Sequence, residues 1–321
     1  MQILITGVAG FIGFNLSRTL LLNKKIKVYG IDNINNYYSR SLKLDRIKEL
    51  NKFKNFNFKR IDLTNRENLK NFFKNKKFSV VINLAAQAGV RYSLKKPTEF
   101  VHNNILGFYN LIYAANERGI KKIIYASSSS VYGDSKSFPL VEDNNIHPKN
   151  IYALSKKNNE EMAKVFSTQF KIQFIGLRFF TVYGEWGRPD MFMMKYLASS
   201  FKPSQKFYLN NFGNHTRDFT YIKDACEIVR RLILSKNKKI KHEIFNICSN
   251  NPIKLISIIN QLNLLTCKKP KTFKRGLQEA DVIKTHGSNK KILSLVGKQK
   301  FTSIKVGLKN TVEWYKKYYN F

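Results

Sequence analysis

The sequence TGVAGFIG, residues 6–13, decides the fold of this 321-residue chain. It places Gly7, Gly10 and Gly13 at intervals of three, directly after an apolar run at 2–6 and directly before a segment with helical periodicity. Glycines at such a junction let a ligand approach the backbone, and the start of the helix offers unpaired N–H groups to a diphosphate. The stretch therefore predicts a strand, a phosphate-binding turn and a helix, in that order.

An acidic residue ends the second predicted strand, KVYGID. This residue, Asp32, follows Gly13 by 19 residues. A carboxylate at that distance accepts hydrogen bonds from both ribose hydroxyls of NAD and repels a 2′-phosphate. Asp32 alone would equally suit a turn before Asn33, but the glycines that precede it favour a site for NAD.

Apolar runs alternate with segments of helical periodicity through the first 180 residues. Strands are predicted at 2–6, 26–31, 56–61, 79–84, 121–126 and 172–177. Helices are predicted near 11–22, 40–51, 65–74, 98–118 and 153–170. This alternation predicts an α/β fold, a doubly wound parallel (Rossmann) sheet covered by helices on both faces.

The pattern changes after about residue 185. GEWGRPD is rich in turn residues, and NNFGNHTRDFT, residues 210–220, is polar and typical of a loop. Further helices are predicted near 222–235, 254–265 and 303–319. We predict an NAD-binding Rossmann domain at 1–180, with returning segments near 218–250, and a smaller mixed region at 181–321 that binds the substrate.

The net charge of +36 raises the question of nucleic-acid binding. Because the lysines are scattered along the chain, we expect no specific nucleic-acid partner, only weak attraction to polyanions at low salt.

No apolar stretch approaches the roughly 20 residues that cross a bilayer, so no membrane association is expected. The start MQILITG has no leader pattern, and Cys226, Cys248 and Cys267 lack metal-binding spacing. These features predict a cytoplasmic protein without a metal site.

A run of serines follows the fifth predicted strand in KKIIYASSSSVYG, residues 121–133. Tyr152 of YALSK comes 19 residues after Gly133, and Lys156 lies four residues later, on the same face of a predicted helix. An ammonium beside a phenol stabilises the phenolate, which can remove a proton from a hydroxyl group during hydride transfer to NAD. A serine hydroxyl near that oxygen would relay the proton or hold the substrate. A tyrosine and a lysine on an ordinary surface helix are the alternative for YxxxK alone.

Two other predicted strands end at the same edge of the sheet. Asp62 and Leu63 follow the third strand, and Leu84, Ala85 and Ala86 follow the fourth. The carboxyl ends of parallel strands form the crevice where open α/β sheets bind ligands. Each of these positions alone would also suit a strand terminus without a role.

Taken together in this order, TGVAGFIG, Asp32, the serine run before VYG, and YALSK resemble the extended short-chain dehydrogenase/reductase family, in the branch that acts on nucleotide sugars. RDFTYIKD at 217–224 and ADVIKT at 280–285 extend the resemblance to nearly the whole chain. The resemblance implies an NAD-dependent isomerase of UDP-sugars, active in polysaccharide biosynthesis.

The resemblance also implies roles for individual residues. Ser128, Tyr152 and Lys156 are the implied catalytic residues, and Asn104 in NILG matches an asparagine that supports the active-site helix. The implied cofactor-binding set is Gly7, Gly10, Phe11, Ile12, Gly13, Asp32, Asn33, Asp62, Leu63, Leu84, Ala85, Ala86, Asn104, Tyr152 and Lys156.

The two serines after Ser128 bear on the type of reaction. Dehydratases and UDP-glucuronate decarboxylases of the family carry acidic residues there, as in STDEVYG, whereas this chain has Ser129 and Ser130. Without a carboxylic acid and base beside the sugar ring, elimination of water lacks its proton carriers. The stretches at 85–93 and 177–191, AAQAGVRYS and LRFFTVYGEWGRPDM, are most similar to UDP-glucuronate 4-epimerases. The predicted reaction therefore converts UDP-glucuronate into UDP-galacturonate through a 4-keto intermediate, with Tyr152 as the base.

A 4-keto hexuronate is a β-keto acid, so the enzyme must hold its carboxylate away from the orientation that loses CO₂. The resemblance implies that Ser129, Ser130 and Thr181 fix this carboxylate as neutral donors. Serines after a strand also often bond only to nearby backbone. The other implied substrate-binding residues are Gln87, Arg91, Arg188, Arg217 and Asp281, of which the arginines suit phosphate and carboxylate groups.

Other functions are compatible with parts of this pattern. The nearest alternative is a 4-epimerase of UDP-glucose or UDP-N-acetylglucosamine. An idle NAD-binding regulator or an RNA-binding protein is a more distant one, and the joint presence of Ser128, Tyr152 and Lys156 argues against it. The resemblance further implies a homodimer built from the helices near 98–118 and 153–170.

Overall fold

The computed structural model describes residues 1–235, 241–279 and 281–321. The strands are β1 (Gln2–Thr6), β2 (Lys27–Asp32), β3 (Phe56–Arg60), β4 (Val80–Asn83), β5 (Lys122–Ser128), β6 (Gln173–Phe179), β7 (Thr181–Tyr183), β8 (Phe207–Asn210), β9 (Thr216–Tyr221), β10 (His242–Ile247), β11 (Pro252–Lys254) and β12 (Thr272–Arg275). The α-helices are α1 (Phe11–Leu21), α2 (Arg40–Leu50), α3 (Arg66–Phe73), α4 (Val90–Lys95), α5 (Pro97–Phe100), α6 (Gly107–Glu117), α7 (Ile151–Gln169), α8 (Phe192–Phe201), α9 (Ile222–Leu234), α10 (Leu255–Thr266), α11 (Lys290–Val296) and α12 (Ile304–Tyr319). None of the described helices is long and apolar enough to span a bilayer.

The large sheet has seven parallel strands in the order β10-β6-β5-β4-β1-β2-β3. The α/β class and the doubly wound parallel sheet predicted from the sequence are confirmed. From β1 the chain builds outward to β2 and β3 on one side, and then to β4, β5 and β6 on the other. The strand order therefore reverses between β1 and β4, which is where sheets of this type bind ligands.

The central strands β1 and β4 are almost wholly apolar because helices cover both faces of the sheet. In β1, Ile3 and Ile5 are buried with Phe14 of α1, whereas Leu4 between them is buried with Phe108 of α6 on the opposite face. Burying each such side chain stabilises the fold by about 1.5–3 kcal/mol. The sheet is thus a rigid support for the loops at its carboxyl edge.

The helix predicted near 98–118 is interrupted. Between α5 and α6 the chain forms a π-helical turn, Val101–Leu106. The π turn contains the buried Asn104, whose Oδ1 accepts a hydrogen bond from Gln87 N at 2.7 Å. Hydrophobic periodicity alone does not reveal such a local change of helix type, which often occurs at functional sites.

The prediction of a loop through 210–220 was wrong for its second half. Thr216–Tyr221 forms β9, the central strand of a small sheet ordered β11-β9-β7. The polar Asp218 of this strand is fully buried, and its carboxylate accepts hydrogen bonds from Ser249 N, Ser249 Oγ and Gly287 N. These partners lie far away in the sequence, so local polarity suggested a loop.

Other C-terminal elements were not predicted from the sequence, among them α8 and the two-stranded sheet β12-β8. The segment near 218–250, predicted to return to the large domain, contains β9, α9 and β10, and its residues 236–240 lie outside the described part of the chain. Strand β10 is the edge strand of the large sheet beside β6, and α9 packs against α1.

Candidate active site

A cleft opens at the carboxyl edge of the large sheet, where the strand order reverses. It encloses about 1390 Å³ including its open mouth, and the ends of β1, β2, β4 and β5 line it together with α7 and the chain around 179–191. One cleft thus extends from the glycine turn after β1 to the predicted catalytic residues of β5 and α7.

The glycine turn after β1 fits a diphosphate. Gly7 has a φ of +69°, and a Cβ on Gly13 would lie 2.2 Å from Gly7 O, so both positions require glycine. Gly10, Phe11, Ile12 and Gly13 line the cleft with the first turn of α1. The N–H groups of a first helical turn have no partner within the helix and attract anions. The residues of this cradle therefore fit the diphosphate of NAD.

Asp32 lies beside this turn at the end of β2. Its Oδ2 accepts a hydrogen bond from Ala9 N at 3.1 Å, and its Oδ1 accepts one from Ile34 N at 2.8 Å. Burial raises the pKa of Asp32, although these donors and the nearby Lys43 and Arg46 oppose the shift. Each oxygen retains a second lone pair, so the carboxylate can also accept from ribose hydroxyls.

Asn33 and Asp62 join the ends of β2 and β3. Asn33 Nδ2 donates to Asp62 Oδ2 at 2.8 Å, and Thr64 donates to Oδ1 through both its backbone and its hydroxyl. Burial disfavours the ionised form of Asp62, but these donors lower its pKa overall. Leu63, Leu84, Ala85 and Ala86 complete the predicted cofactor wall and line the cleft as expected.

Four polar residues of the segment after β2 also line the cleft and were not predicted from the sequence. Asn35, Tyr37 and Tyr38 come from the loop after β2, and Lys43 comes from α2. Lys43 Nζ donates to Asn35 O at 2.8 Å and to Asn35 Oδ1 at 2.5 Å, and burial lowers the pKa of Lys43 to about 8. The sequence feature that could have identified them is the polar and aromatic stretch NNYYSRSLK, which follows the strand that ends in Asp32.

Arg188 was predicted to bind the substrate, and in the structure it lines the cleft while paired with a carboxylate of its own loop. Its Nε and Nη2 donate to Asp190 at 3.0 and 2.7 Å, and Tyr37 OH donates to the same carboxylate at 2.9 Å. We call Tyr37, Asp190 and Arg188 the loop clamp, because they tie the loop after β2 to the loop at 184–190.

A buried arginine reinforces this connection between the two loops. Arg46 of α2 is fully buried, and its Nη1 donates to Ala9 O at 2.7 Å while its Nη2 donates to Trp186 O. The indole of Trp186 packs against Trp314 of α12, with ring centroids 5.4 Å apart, and against Phe14 of α1 at 4.9 Å. The 184–190 loop is thus anchored at both its backbone and its largest side chain.

The three predicted catalytic residues come together in the cleft. Ser128 ends β5, while Tyr152 and Lys156 lie one turn apart on α7. The helix begins at this point because Asn150 caps it by accepting from Ala153 N at 2.9 Å. Lys156 Nζ donates to Ala126 O at 2.8 Å, and burial lowers the pKa of Lys156 to about 8 against the opposing effect of Glu160.

Asn104, predicted to contact the cofactor, is buried behind the cleft, and Asn103 lines the cleft in its place. Asn104 Nδ2 donates to Ser155 Oγ at 2.9 Å and to Gln87 O at 3.0 Å. Ser155 Oγ in turn donates to Tyr152 O at 2.8 Å. Asn104 therefore supports α7 and the backbone of Gln87, which lines the cleft as predicted.

The predicted carboxylate donors do not line the described cleft wall. After Ser128 the chain enters a 3₁₀ turn, Ser129–Tyr132, so Ser129 and Ser130 leave the strand direction. Ser128 Oγ accepts from Ser130 N at 3.2 Å and donates to Ser130 Oγ at 3.0 Å. Thr181 is half-buried at the start of β7, and the neighbouring Phe180 and Val182 line the cleft instead.

Three other predicted substrate residues form a separate group outside the described cleft wall. Arg91 makes a bidentate pair with Asp281, the shortest contact being 2.7 Å. Arg217 donates to Ile283 O at 2.9 Å and to Val282 O at 2.5 Å, and burial lowers the pKa of Arg217 to about 10. His215 Nε2 lies 3.8 Å from Asp281 Oδ2. We call Arg91, His215, Arg217 and Asp281 the arginine cluster; Ala280, which precedes Asp281, lies outside the described residues.

Comparisons with known proteins agree with this architecture. Residues 3–248 match the NAD dependent epimerase/dehydratase family. A UDP-glucuronate 4-epimerase of Thermodesulfobacterium geofontis is 39% identical over 317 residues, which cover 98% of this chain and 95% of that protein.

Solved structures give the same result. The crystal structure of UDP-glucuronic acid 4-epimerase from Bacillus cereus, in complex with UDP-glucuronic acid and NAD, superposes with a TM-score of 0.92 at 31% identity, over 99% of this chain and 100% of that one. MoeE5 in complex with UDP-glucuronic acid and NAD superposes with a TM-score of 0.87 at 27% identity, over 99% of this chain and 100% of that one. The chain belongs to the NAD dependent epimerase/dehydratase family.

Proposed function

We propose that this protein is an NAD-dependent UDP-glucuronate 4-epimerase that forms UDP-galacturonate through a 4-keto intermediate. The cofactor lies along the glycine turn and Asp32, within residues 1–180, and the nucleotide sugar is bound mainly by residues 181–321. The relatives of similar length that carry this activity support the proposal. NAD and UDP-sugars are cytoplasmic metabolites, so we place the reaction in the cytoplasm, where its product would supply polysaccharide biosynthesis.

One observation favours epimerisation over elimination of water. Among the described residues that line the cleft, the carboxylates are Asp32 and Asp62, both at the ends of the cofactor strands β2 and β3. Elimination of water from a sugar needs an acid and a base beside the ring. The side chains around Tyr152 supply hydroxyl and ammonium groups instead, which suit oxidation and reduction at C4 without elimination.

Tyr152, Lys156 and Ser128 have separate roles in the proposed proton transfer. Bound NAD supplies reversible hydride transfer at C4 of the sugar. Tyr152, as phenolate, removes the proton of the C4 hydroxyl and returns it after the 4-keto sugar has turned its other face. The ammonium of Lys156 stabilises the phenolate, and Ser128 Oγ holds the C4 oxygen at the end of β5.

The substrate carboxylate must stay out of line with the C4 carbonyl to prevent decarboxylation. We assign this role to Ser129, Ser130 and Thr181; Ser130 is hydrogen-bonded to Ser128, which lines the cleft. The arginine cluster is assigned to the uridine diphosphate, because guanidinium groups bind phosphate in a forked geometry.

Product analysis tests the proposed reaction. Purified protein is incubated with UDP-glucuronate, and the products are resolved by NMR; we expect a mixture of UDP-glucuronate and UDP-galacturonate. A UDP-pentose or an unchanged substrate would contradict the proposal. UDP-glucose and UDP-N-acetylglucosamine in parallel reactions test the alternative substrates. UDP-glucose is a specific alternative, because MoeE5 was also crystallised with UDP-glucose and NAD.

A homodimer is the proposed assembly. Five large apolar side chains on α4 to α7 are 42–54% exposed, including the intervening π turn: Leu94, Val101, Leu106, Leu154 and Val165. Exposed apolar side chains concentrated on one set of helices mark an interaction surface. Light scattering should give about twice the chain mass of 37.4 kDa. Replacing Leu106 and Leu154 by lysine should yield a monomer, whereas the same change at Leu264, exposed on α10, should not.

A further inference from the structure

A buried ion pair lies directly beneath the proposed catalytic residues. Arg178 of β6 donates to Glu160 of α7 through Nε at 2.9 Å and through Nη2 at 2.8 Å. The two side chains are 4% and 3% exposed. A buried pair of this kind is seldom more stabilising than an apolar pair of the same volume, because both charges lose their hydration. Its presence therefore calls for an explanation other than stability.

The pair is placed to join the two elements that carry the proposed catalytic residues. Glu160 follows Tyr152 by eight residues and Lys156 by four, so all three lie on one face of α7. On the strand side, Arg178 is the register partner of Ser127, and Ser127 Oγ donates to Glu160 Oε1 at 2.5 Å. Glu160 thus holds α7 against β5 one residue before Ser128.

The same guanidinium reaches the turn that follows Ser128. Arg178 Nη1 donates to Glu142 O at 3.0 Å, and the guanidinium lies 4.7 Å from the ring centroid of Tyr132. Tyr132 ends the 3₁₀ turn that contains Ser129 and Ser130, and its hydroxyl donates to Asn246 Oδ1 at 2.7 Å. A displacement of Glu160 would therefore change contacts before Ser128, at Ser127, and after it, at the 3₁₀ turn that ends in Tyr132.

The electrostatic position of Glu160 matters as much as its contacts. Lys156 is buried, burial disfavours its ammonium form, and Glu160 is the charge that opposes this effect. Other titratable groups interact with Glu160 as well: Arg178 on β6, Tyr125 on β5 and His242 on β10, of which His242 is also affected by Glu161 and Lys164 on α7. Of these, Arg178 is bound to Glu160 directly, and Tyr125 OH lies 3.1 Å from His242 Nε2. Tyr152 shares the cleft with Lys156.

We propose that Glu160 is a positioning residue of the 4-epimerase, which fixes α7 against the end of β5 through Arg178 and Ser127 and supplies the negative charge that the Lys156 ammonium requires. The inference rests on the proposed function, in which Lys156 acts on Tyr152. Glu160 does not itself line the cleft, but Ser127, which donates to it, does, so its effect on turnover passes through Lys156 and the Ser127–Ser128 end of β5.

Two substitutions separate the charge of Glu160 from the stability of the pair. Glu160→Gln keeps the shape of the side chain, but it leaves Arg178 buried without a counterion and can prevent folding. The double variant Glu160→Gln/Arg178→Met removes both charges and keeps an apolar stem. In whichever variant folds, we expect kcat at neutral pH to fall about 10- to 100-fold, while KM and bound NAD stay within about twofold of wild type. The matched control is Glu161→Gln, a change at the exposed neighbouring position.

The pH dependence distinguishes positioning from a merely structural role. Without the negative charge, Lys156 should lose its proton at lower pH, so the fall in kcat at high pH should begin about one pH unit lower than in wild type. The Nζ resonance of Lys156 in ¹⁵N-lysine-labelled protein should show the same displacement. Ser127→Ala keeps the ion pair and should lower kcat only a few-fold, with the pH profile unchanged.

The outcomes distinguish this inference from the proposed function. Wild-type protein that converts none of the tested UDP-sugars would refute the function, while the Lys156 resonance would still report on Glu160. An active wild type whose Lys156 titration is the same in the double variant would overturn the role of Glu160. Equal losses of kcat in Glu161→Gln and the Glu160 variants would overturn it as well.

Discussion

The cleft has two walls that differ in how they are built. The cofactor wall consists of strand ends, a glycine turn and the first turn of α1, so its groups are largely backbone N–H groups held by the sheet. The substrate side consists of the loop clamp and, beyond it, the arginine cluster, whose charged side chains pair with other protein groups: Arg188 with Asp190 of its own loop, and Arg91 with the distant Asp281. On the proposed function, the cofactor wall therefore binds its ligand without exchanging protein contacts, whereas the arginines of the substrate side would exchange protein partners for ligand phosphates. Four predictions test this difference, in order of decreasing expected effect.

The largest effect is expected at Tyr152, where the two walls meet. Tyr152→Phe removes the hydroxyl that moves the C4 proton and should lower kcat about 10²- to 10⁴-fold, with bound NAD unchanged. Turnover of UDP-glucuronate and the NAD released on denaturation are the measurements. The control Tyr208→Phe, at an exposed tyrosine of β8, should behave as wild type. Near-normal turnover in Tyr152→Phe would refute the proton-transfer role.

Gly13→Ala tests the preformed cofactor wall. The new Cβ would lie 2.2 Å from Gly7 O, so the turn must open and the NAD content should fall about 100-fold. The control is Gly276→Ala, where a Cβ meets nothing within 4 Å and NAD should be retained. A melting temperature on the same samples shows whether the protein is folded. If Gly13→Ala retains as much NAD as Gly276→Ala, close backbone approach is not what binds the cofactor.

The pH dependence of wild-type turnover tests the charge at the junction of the walls. The pKa of Lys156 is lowered to about 8 by burial, so its ammonium is lost as the pH rises through that value. Because the ammonium stabilises the Tyr152 phenolate, kcat should fall about tenfold between about pH 8.5 and about pH 9.5. The profile is measured with saturating substrate and with the protein checked for folding by circular dichroism. A kcat that stays constant to about pH 10 would exclude Lys156 as the titrating group.

The smallest effect is expected in the arginine cluster. Arg91→Gln and Asp281→Asn should each raise the KM for UDP-glucuronate about three- to tenfold and leave bound NAD unchanged. The double variant Arg91→Gln/Asp281→Asn shows whether Asp281 binds the substrate directly or only positions Arg91. If Asp281 serves only to hold Arg91, the double variant should match Arg91→Gln. If the double variant raises KM by the product of the two single effects, each residue binds the substrate independently. A change in NAD content in any of these variants would contradict the division into two walls.

The difference between the two walls also explains which site residues could be predicted from the sequence. Gly7, Gly13 and Asp32 were predicted because the turn after β1 and the end of β2 impose residue types that are visible in the local sequence. Ser129 and Thr181 were predicted from a resemblance only, because neither the 3₁₀ turn after Ser128 nor the start of β7 imposes a residue type that the local sequence would reveal.

Residues whose partners are distant in sequence were beyond prediction. Lys43 lines the cleft because α2 packs beside the glycine turn, and Arg188 meets Tyr37 across 151 residues of chain. Likewise, Asp218 is a buried strand residue only because Ser249 and Gly287 supply its donors. Local patterns thus identified the large sheet and the cofactor wall, while side-chain pairing between segments required the structure.

The anchoring of Trp186 provides an optical signal. The two tryptophans of the chain, Trp186 and Trp314, pack against each other in a tilted arrangement, and Trp186 also touches Phe14 next to the glycine turn. All tryptophan emission therefore originates at one site, the base of the loop that carries Arg188. Emission intensity and wavelength should respond if that loop shifts when the substrate binds, and Trp314→Phe would leave Trp186 as the sole emitter. The wild-type chain thus carries its own fluorescent reporter of the loop clamp, without any added dye.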